Sequence, residues 1–365
     1  MKIAFYGSSL VSSYWNGAAT YYRGLLKALA GHGHEIVFYE PDAFDRQKHR
    51  DMDEPAWARV VVYEASPEGV RSAAAEAASA DVVVKASGVG YADDAILEAV
   101  MDAARPGAVK LFWDVDAPAT LAEMAQDESH AVRRMLPRLD AVMTYGGGDP
   151  VVTRYESFGA RACHPIYNAL DPDTHHPVAP DPRFAADLGF LGNRMPDREA
   201  RVRTFFLEPA AAAPDKTFLL GGSGWEPWQT TDNVRAVGHV GSGDHNAFNV
   251  TPKAVLNVNR ESMAHVGFSP PTRVFEAAGA GACLITDHWE GVAQFFAPGE
   301  EILVARDGKD VAEIMGWLTP DCAARIGRCA LDRALRDHTY ARRAVEADAI
   351  LRDLARIKTH TGAAA

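Results

Sequence analysis

Four residues at short spacing, Ser269, Thr272, Arg273 and Glu276, lie between a Gly267-Phe268 pair and the small-residue run Ala277-Ala278-Gly279-Ala280-Gly281. Serine is a good helix N-cap, and prolines such as Pro270 and Pro271 are tolerated in a first helical turn. The spacing therefore predicts a helix over about 270–280. Free backbone N–H groups and the positive dipole end at such a start attract an anion. Arg273, one turn in, can reach a phosphate. Glu276 lies about 9 Å along the axis from Pro270 at ~1.5 Å per residue. That separation suits a carboxylate accepting from ribose hydroxyls while the helix start holds a diphosphate. The alternative is a capped helix with an Arg273–Glu276 surface pair at i, i+3.

Other residues could share this chemistry. Arg260 ends an apolar run, and arginine fits phosphate bidentately. His245, in the polar loop Asp244-His245-Asn246, suits base recognition or helix capping. Gly222 and Gly224 follow another apolar run, where glycine lets backbone approach a ligand closely, or simply makes a turn. The same holds for Gly7-Ser8, with Asn16-Gly17 just beyond. Asp114 and Asp116 close a further run. A carboxylate there could act as general base for an acceptor hydroxyl, bind sugar hydroxyls, or cap the helix near Pro118. His175-His176 and the His32, His34 pair have no partner set for zinc, so no metal is expected. Gly88-Val89-Gly90 lacks the third glycine of a dinucleotide fingerprint, which argues against a nicotinamide-dependent oxidoreductase.

These residues need elements to hold them, and the pattern supplies one: a short apolar run, a turn, a helix-like segment, repeated. Runs at Ile3–Tyr6, Glu35–Glu40, Asp81–Lys85, Val109–Trp113 and Asp140–Tyr145 read as strands, with helices near 17–30, 68–78, 93–104 and 150–158 between or after them. The proline-rich segment 169–182 breaks the rhythm and reads as a linker. The rhythm then restarts with strands at Leu188–Leu191, Thr217–Leu220, Ala254–Val258, Cys283–Thr286 and Ile302–Val304. Helices are expected over 197–211, 270–280 and much of 309–358. Strands apolar throughout, separated by amphipathic helices, imply parallel sheets covered on both faces. The expected organisation is an α/β chain of two doubly wound domains, 1–168 and 183–335, joined by 169–182 and followed by a helix and tail, 336–365. In such sheets ligands bind at the carboxyl ends of the strands, and two facing domains would enclose a cleft.

Composition limits the partners. The chain has 365 residues, 47% hydrophobic and 24% charged, with a net charge of −12. That is ordinary globular composition for two or three domains. The negative balance disfavours broad binding to nucleic acid or anionic membrane. The four cysteines, Cys163, Cys283, Cys322 and Cys329, are scattered, and the apolar runs are too short for a membrane span. Reduced thiols and a cytoplasmic location are the expectation; oligomeric state is left open.

The 267–287 stretch resembles the nucleotide-sugar signature in the C-terminal domain of GT-B glycosyltransferases, and within them the CgeB-like (spore maturation protein) branch. Similar wording occurs at Phe112-Trp113-Asp114-Val115-Asp116-Ala117-Pro118, Tyr145-Gly146-Gly147-Gly148, Phe190-Leu191-Gly192-Asn193-Arg194 with Arg198, and Val255-Leu256-Asn257-Val258-Asn259-Arg260. The resemblance implies a metal-independent transferase with no cofactor beyond its substrate, a nucleotide-diphosphate sugar, UDP-sugar favoured. The acceptor would be a hydroxyl on a glycan, protein or metabolite. It implies donor contacts by Arg194, Gly222, Gly224, His245, Arg260, Ser269, Thr272, Arg273 and Glu276. It places Gly7, Ser8, Asn16 and Gly17 near acceptor or sugar, Asp114 and Asp116 in catalysis, and the last helices back across the N-terminal domain. Many retaining members carry Glu-x7-Glu here; Glu276 matches the second glutamate, and the first falls at Phe268. An epimerase or phosphorylase on the same fold, for which the sequence offers no evident Schiff-base lysine beyond the candidates Lys253 and Lys85, and a non-catalytic nucleotide-sugar binder are the alternatives.

Overall fold

A computed structural model of the chain describes residues 1–225 and 230–362. It divides into two compact units, residues 1–167 with 340–365, and 168–339. The first unit holds a seven-stranded sheet: β1 (Lys2–Tyr6), β2 (Glu35–Asp42), β3 (Ala58–Glu64), β4 (Val82–Ala86), β5 (Val109–Asp114), β6 (Ala141–Thr144) and β7 (Cys163–Pro165). Their order is β3-β2-β1-β4-β5-β6-β7, with every described pairing parallel. β4 reads Val-Val-Val-Lys-Ala and is buried at every position, as a strand covered on both faces requires. The order reverses between β1 and β4, so the loops after these strands flank the point where ligands bind in doubly wound sheets.

The Tyr340–Gly362 helix belongs to this first unit and packs on the Ala19–Gly31 helix. The Tyr340 ring stands 6.0 Å from that of Tyr21. His34 Nε2 lies 2.6 Å from Asp348 Oδ1, and Lys358 Nζ donates to Asp140 Oδ1 at 2.9 Å.

The second unit holds six strands: β8 (Leu188–Leu191), β9 (Phe218–Gly221), β10 (Val234–Gly238), β11 (Ala254–Asn257), β12 (Leu284–Asp287) and β13 (Leu303–Ala305). Their order is β10-β9-β8-β11-β12-β13, again parallel. Here the reversal falls between β8 and β11. The core packs Phe190, Phe206, Phe218, Leu256, Ile285 and Met315 around the sheet.

Three differences from the sequence reading have physical causes. Segment 169–182 is not a free linker. Leu170 N donates to His338 O at 2.8 Å, and a Cβ on Gly279 would lie 2.3 Å from Leu170 and 2.9 Å from the His175 carbonyl. The small-residue run at 277–281 exists because this segment lies against it. The 197–211 helix is broken by a π turn at Arg203–Leu207, since Pro209 has no N–H for the carbonyl four residues back. The 270–280 helix begins only at Thr272, because a residue preceding a proline is pushed out of the helical region. The prolines therefore precede this helix rather than open it, and Ser269 is not its N-cap.

Candidate functional site

The loops at the carboxyl ends of β8 and β11 flank the reversal point of the second sheet, and both carry arginine. After β8, Arg194 Nε donates to Glu199 at 2.9 Å, and Arg198 donates from its Nη2 to the Asn193 carbonyl at 2.5 Å. After β11, Arg260 Nε donates to Asp197 at 2.5 Å. Arg198 is set apart by its surroundings. Burial, reinforced by the nearby Arg273 and Arg260 guanidinium groups, pushes its pKa down to about 10. It remains charged at neutral pH, yet its Nε is buried without a hydrogen-bond partner. A desolvated cation beside two others is stabilised by an anion.

Arg273 lies on the first turn of the Thr272–Ala280 helix. Burial lowers its pKa, against the Glu276 carboxylate. No hydrogen bond or ion pair engages it among the described residues, and the Arg273–Glu276 surface pair does not form. The helix start carries no side-chain cap, leaving the Thr272 and Arg273 amides without intrahelical acceptors, while the Val274 amide donates to the Pro271 carbonyl at 3.0 Å. Ser269 Oγ and Asn168 Oδ1 are buried there without partners, although Asn168 Nδ2 reaches the Pro270 carbonyl at 3.3 Å. Asn259 Nδ2, in the loop after β11, is a third orphan. Native interiors leave few such groups. Phe268, where the resemblance expects a glutamate, adopts a left-handed φ of 46° and packs over Gly291.

The glycines after β9 act on protein. Gly222 has φ 115°, and a Cβ would stand 2.2 Å from the Gly192 carbonyl; a Cβ on Gly224 would stand 3.2 Å from Arg194 Cβ. They bring the 222–225 loop against the 192–194 loop, where Trp225 Nε1 donates to Gly192 O at 2.7 Å. They thus fix the loop that carries Arg194.

Glu276 faces two histidines. His175 Nε2 lies 3.9 Å from Glu276 Oε1, and one ligand atom from each of His175, His245 and Glu276 falls within 4.8 Å of the others. Burial lowers the His245 pKa, with Glu276 opposing, and its Nε2 lies 3.3 Å from the Val240 carbonyl. These three residues are the group suited to an ion among the described residues.

The first unit's candidates are arranged differently. Asp114 is fully buried and accepts from Ser87 Oγ at 2.7 Å, from the Asp116 amide at 2.9 Å and from the Tyr155 hydroxyl. Burial raises its pKa against these hydrogen bonds. Both oxygens accept from internal donors, which ties Asp114 into the first unit's own hydrogen-bond network. Asp116 is half-exposed beside a cavity of about 280 Å³ that also reaches Lys85, Asp93 and His130. The expected acceptor loop is closed on itself. Ser8 Oγ donates to Asn16 Oδ1 at 2.9 Å, and Asn16 Nδ2 donates to the carbonyls of Ser9 and Ser12. A Cβ on Gly7 would meet the Phe38 ring at 2.6 Å, so that glycine serves packing, while Gly17 has open space around it. Lys85 and Lys253 are tied to Asp93 at 2.6 Å and Asp187 at 3.0 Å.

Sequence reasoning listed Arg194, Arg260, Arg273 and Glu276, which the second unit holds at or beside its reversal point. Arg198 and Asn259 stand in the sequence only as part of the family-like wording, His175 only as a loop histidine, and Asn168 carries no signal of its own. Arg198 stands one turn after Arg194, a spacing that puts two residues on one side of a helical turn. His175 lies in the segment that reads as a linker, and nothing local ties it to Glu276.

Residues 198–349 match the family model described as glycosyl transferase-like. No curated protein matches by sequence. Among solved structures, HepE of Anabaena in complex with UDP and glucose is 13% identical, covering 97% of this chain and 100% of that one, with a TM-score of 0.66. Sucrose-phosphate synthase of Thermosynechococcus elongatus is 14% identical over 97% of this chain and 99% of its own, with a TM-score of 0.71. T4 phage BGT in complex with UDP-glucose is 11% identical over 97% and 99%, with a TM-score of 0.62. The fold is that of the GT-B glycosyltransferases. Among the described residues no helix is long and apolar enough to cross a membrane.

Proposed function

We propose that this chain is a glycosyltransferase that moves a sugar from a nucleotide-diphosphate sugar, a UDP-sugar in the favoured reading, to an acceptor hydroxyl. One observation carries the reading: Arg198 and Arg273 are charged, partly desolvated groups with N–H donors that no protein acceptor meets, beside an uncapped helix start. A diphosphate leaving group needs such donors where its charge develops. In this reading Arg198, Arg273 and the Thr272–Arg273 amides hold the diphosphate, with Arg260 and Arg194 at its edge. Ser269, Asn168 and Asn259 complete the polar wall. Glu276 accepts from the ribose hydroxyls and His245 lies toward the base. No metal takes part in transfer, since the guanidinium groups supply the charge. Asp116 is the carboxylate left for the acceptor hydroxyl.

The GT-B neighbours solved with UDP or UDP-glucose favour a uridine donor. The signature wording at 267–287 favours the CgeB-like branch. Calorimetry with UDP tests the reading: wild type binds, and Arg198→Ala and Glu276→Ala each weaken binding at least tenfold. Unchanged affinity in both variants overturns it. One observation, Phe268 in place of a glutamate, favours a second reading as a binder without transfer. Donor binding with neither hydrolysis nor transfer to any acceptor in a broad screen would establish that one.

A further inference from the structure

We propose that His175, His245 and Glu276 form a site for a divalent transition-metal ion of the zinc class. The argument starts from hydrogen bonds around the two rings. The Thr174 hydroxyl donates to the Asp171 carbonyl at 3.1 Å, so at 3.0 Å it accepts from His175 Nδ1. That leaves a lone pair on His175 Nε2, which lies 3.9 Å from Glu276 Oε1. Val240 O can only accept, so His245 Nε2 carries the proton in their 3.3 Å contact. That leaves the His245 Nδ1 lone pair. One ligand atom from each imidazole and from the carboxylate lies within 4.8 Å of the others, and each neutral ring has one lone pair to give. A histidine that gives its other N–H to a carbonyl or hydroxyl is oriented as metal ligands are.

Two-histidine, one-carboxylate sets with an open fourth position bind zinc at about 2.0–2.2 Å, which places neighbouring ligand atoms about 3.3 Å apart. The His175–Glu276 gap of 3.9 Å closes to that with a shift of about half an ångström. A brace from outside holds the pieces: Asn246 Nδ2 donates to the Thr174 carbonyl at 2.9 Å, fastening the 174–175 segment to the helix that begins at His245. The nearby Arg273 charge works against a cation and moderates the affinity.

An ion held by Glu276 occupies the carboxylate assigned above to ribose, so ion and nucleotide exclude one another. This exclusion rests on the donor reading; the ion site does not. The test is calorimetric titration of the tag-free full chain with zinc chloride, repeated with cobalt chloride for its visible absorption bands. One saturable site is expected. His175→Ala and His245→Ala each weaken it by more than the about 10–100-fold that loss of an outer-shell partner costs. The corresponding glutamine variants serve where an alanine variant melts early. Absence of saturable binding overturns the proposal, as does binding retained in the double variant. Titration in the presence of UDP addresses the exclusion: competition supports a shared Glu276, and independent binding overturns the ribose assignment while the ion site stands.

Discussion

The two units place polar side chains at the same point of the same kind of sheet, yet treat them in opposite ways. In the first, Ser8, Asn16, Ser87, Asp114 and Tyr155 exchange hydrogen bonds, and none of their buried atoms lacks a partner. In the second, Arg198 Nε, Asn168 Oδ1, Asn259 Nδ2 and Ser269 Oγ are buried and unpartnered, and Arg273 makes no ion pair. A satisfied network defines one conformation of the protein alone. Orphaned buried donors carry an unmet desolvation cost that a ligand can remove. The contrast separates carboxylates and hydroxyls that build the fold from cations kept for a guest.

The comparison breaks most visibly at Asp114. Asp114→Ala leaves three internal donors unmet, and the expected cost is about 2–5 kcal/mol of stability with UDP affinity unchanged. Chemical denaturation and calorimetry check the two halves. A stable Asp114→Ala protein that has lost only transfer activity would return Asp114 to the role of general base.

Arg198 is the mirror case. Arg198→Ala removes a charge-assisted contact to diphosphate worth about 1.5–3 kcal/mol, roughly ten- to hundredfold in Kd. Stability holds or rises, because one of three crowded like charges is gone. A variant that melts earlier and binds UDP normally would make Arg198 a structural residue.

Much of this contrast was legible before the structure, and the remainder has definite causes. Leu188–Leu191 was read to the residue because four apolar positions between turns admit little else. The edge strand at Val234–Gly238 was missed because Arg235 and Ala236 face water and break the apolar run. Cys163–Pro165 is three residues long and ends in proline, too short for any periodicity. Arg273 and Glu276 were legible because one helix sets their spacing. His175 was not, because only tertiary packing of the 169–182 segment against Gly279 brings it to Glu276. What surrounds Asp114 was not legible either: the end of a strand fixes where a carboxylate starts, while Ser87 and Tyr155, far along the chain, decide what it meets.

Acidity sharpens the same contrast on a smaller scale. Burial raises the folded-state pKa of Asp114 above its unfolded value of about 3.9. Between the two values the folded chain binds more protons than the unfolded one, so stability falls as pH rises through that window and is level above it. The difference between wild type and Asp114→Asn should carry this slope. A difference that shrinks as pH falls instead would mean that the hydrogen bonds from Tyr155 and Ser87 outweigh burial.

The smallest effects are expected in the loop after β1, where two glycines separate bracing from binding. Gly7→Ala forces a methyl group against the Phe38 ring, 2.6 Å from the new carbon, and overpacking of this kind costs about 1–3 kcal/mol. Gly17→Ala meets nothing within 4 Å, and an exposed change of this sort stays within about 0.5 kcal/mol. Paired melting curves and turnover of a UDP-sugar check both. If the loop only braces the first unit, the Gly17 variant matches wild type in both measurements. If Gly17→Ala leaves stability intact and slows turnover, the loop contacts acceptor or sugar after all, and the line between a closed first unit and a ligand-holding second one must be redrawn at that glycine.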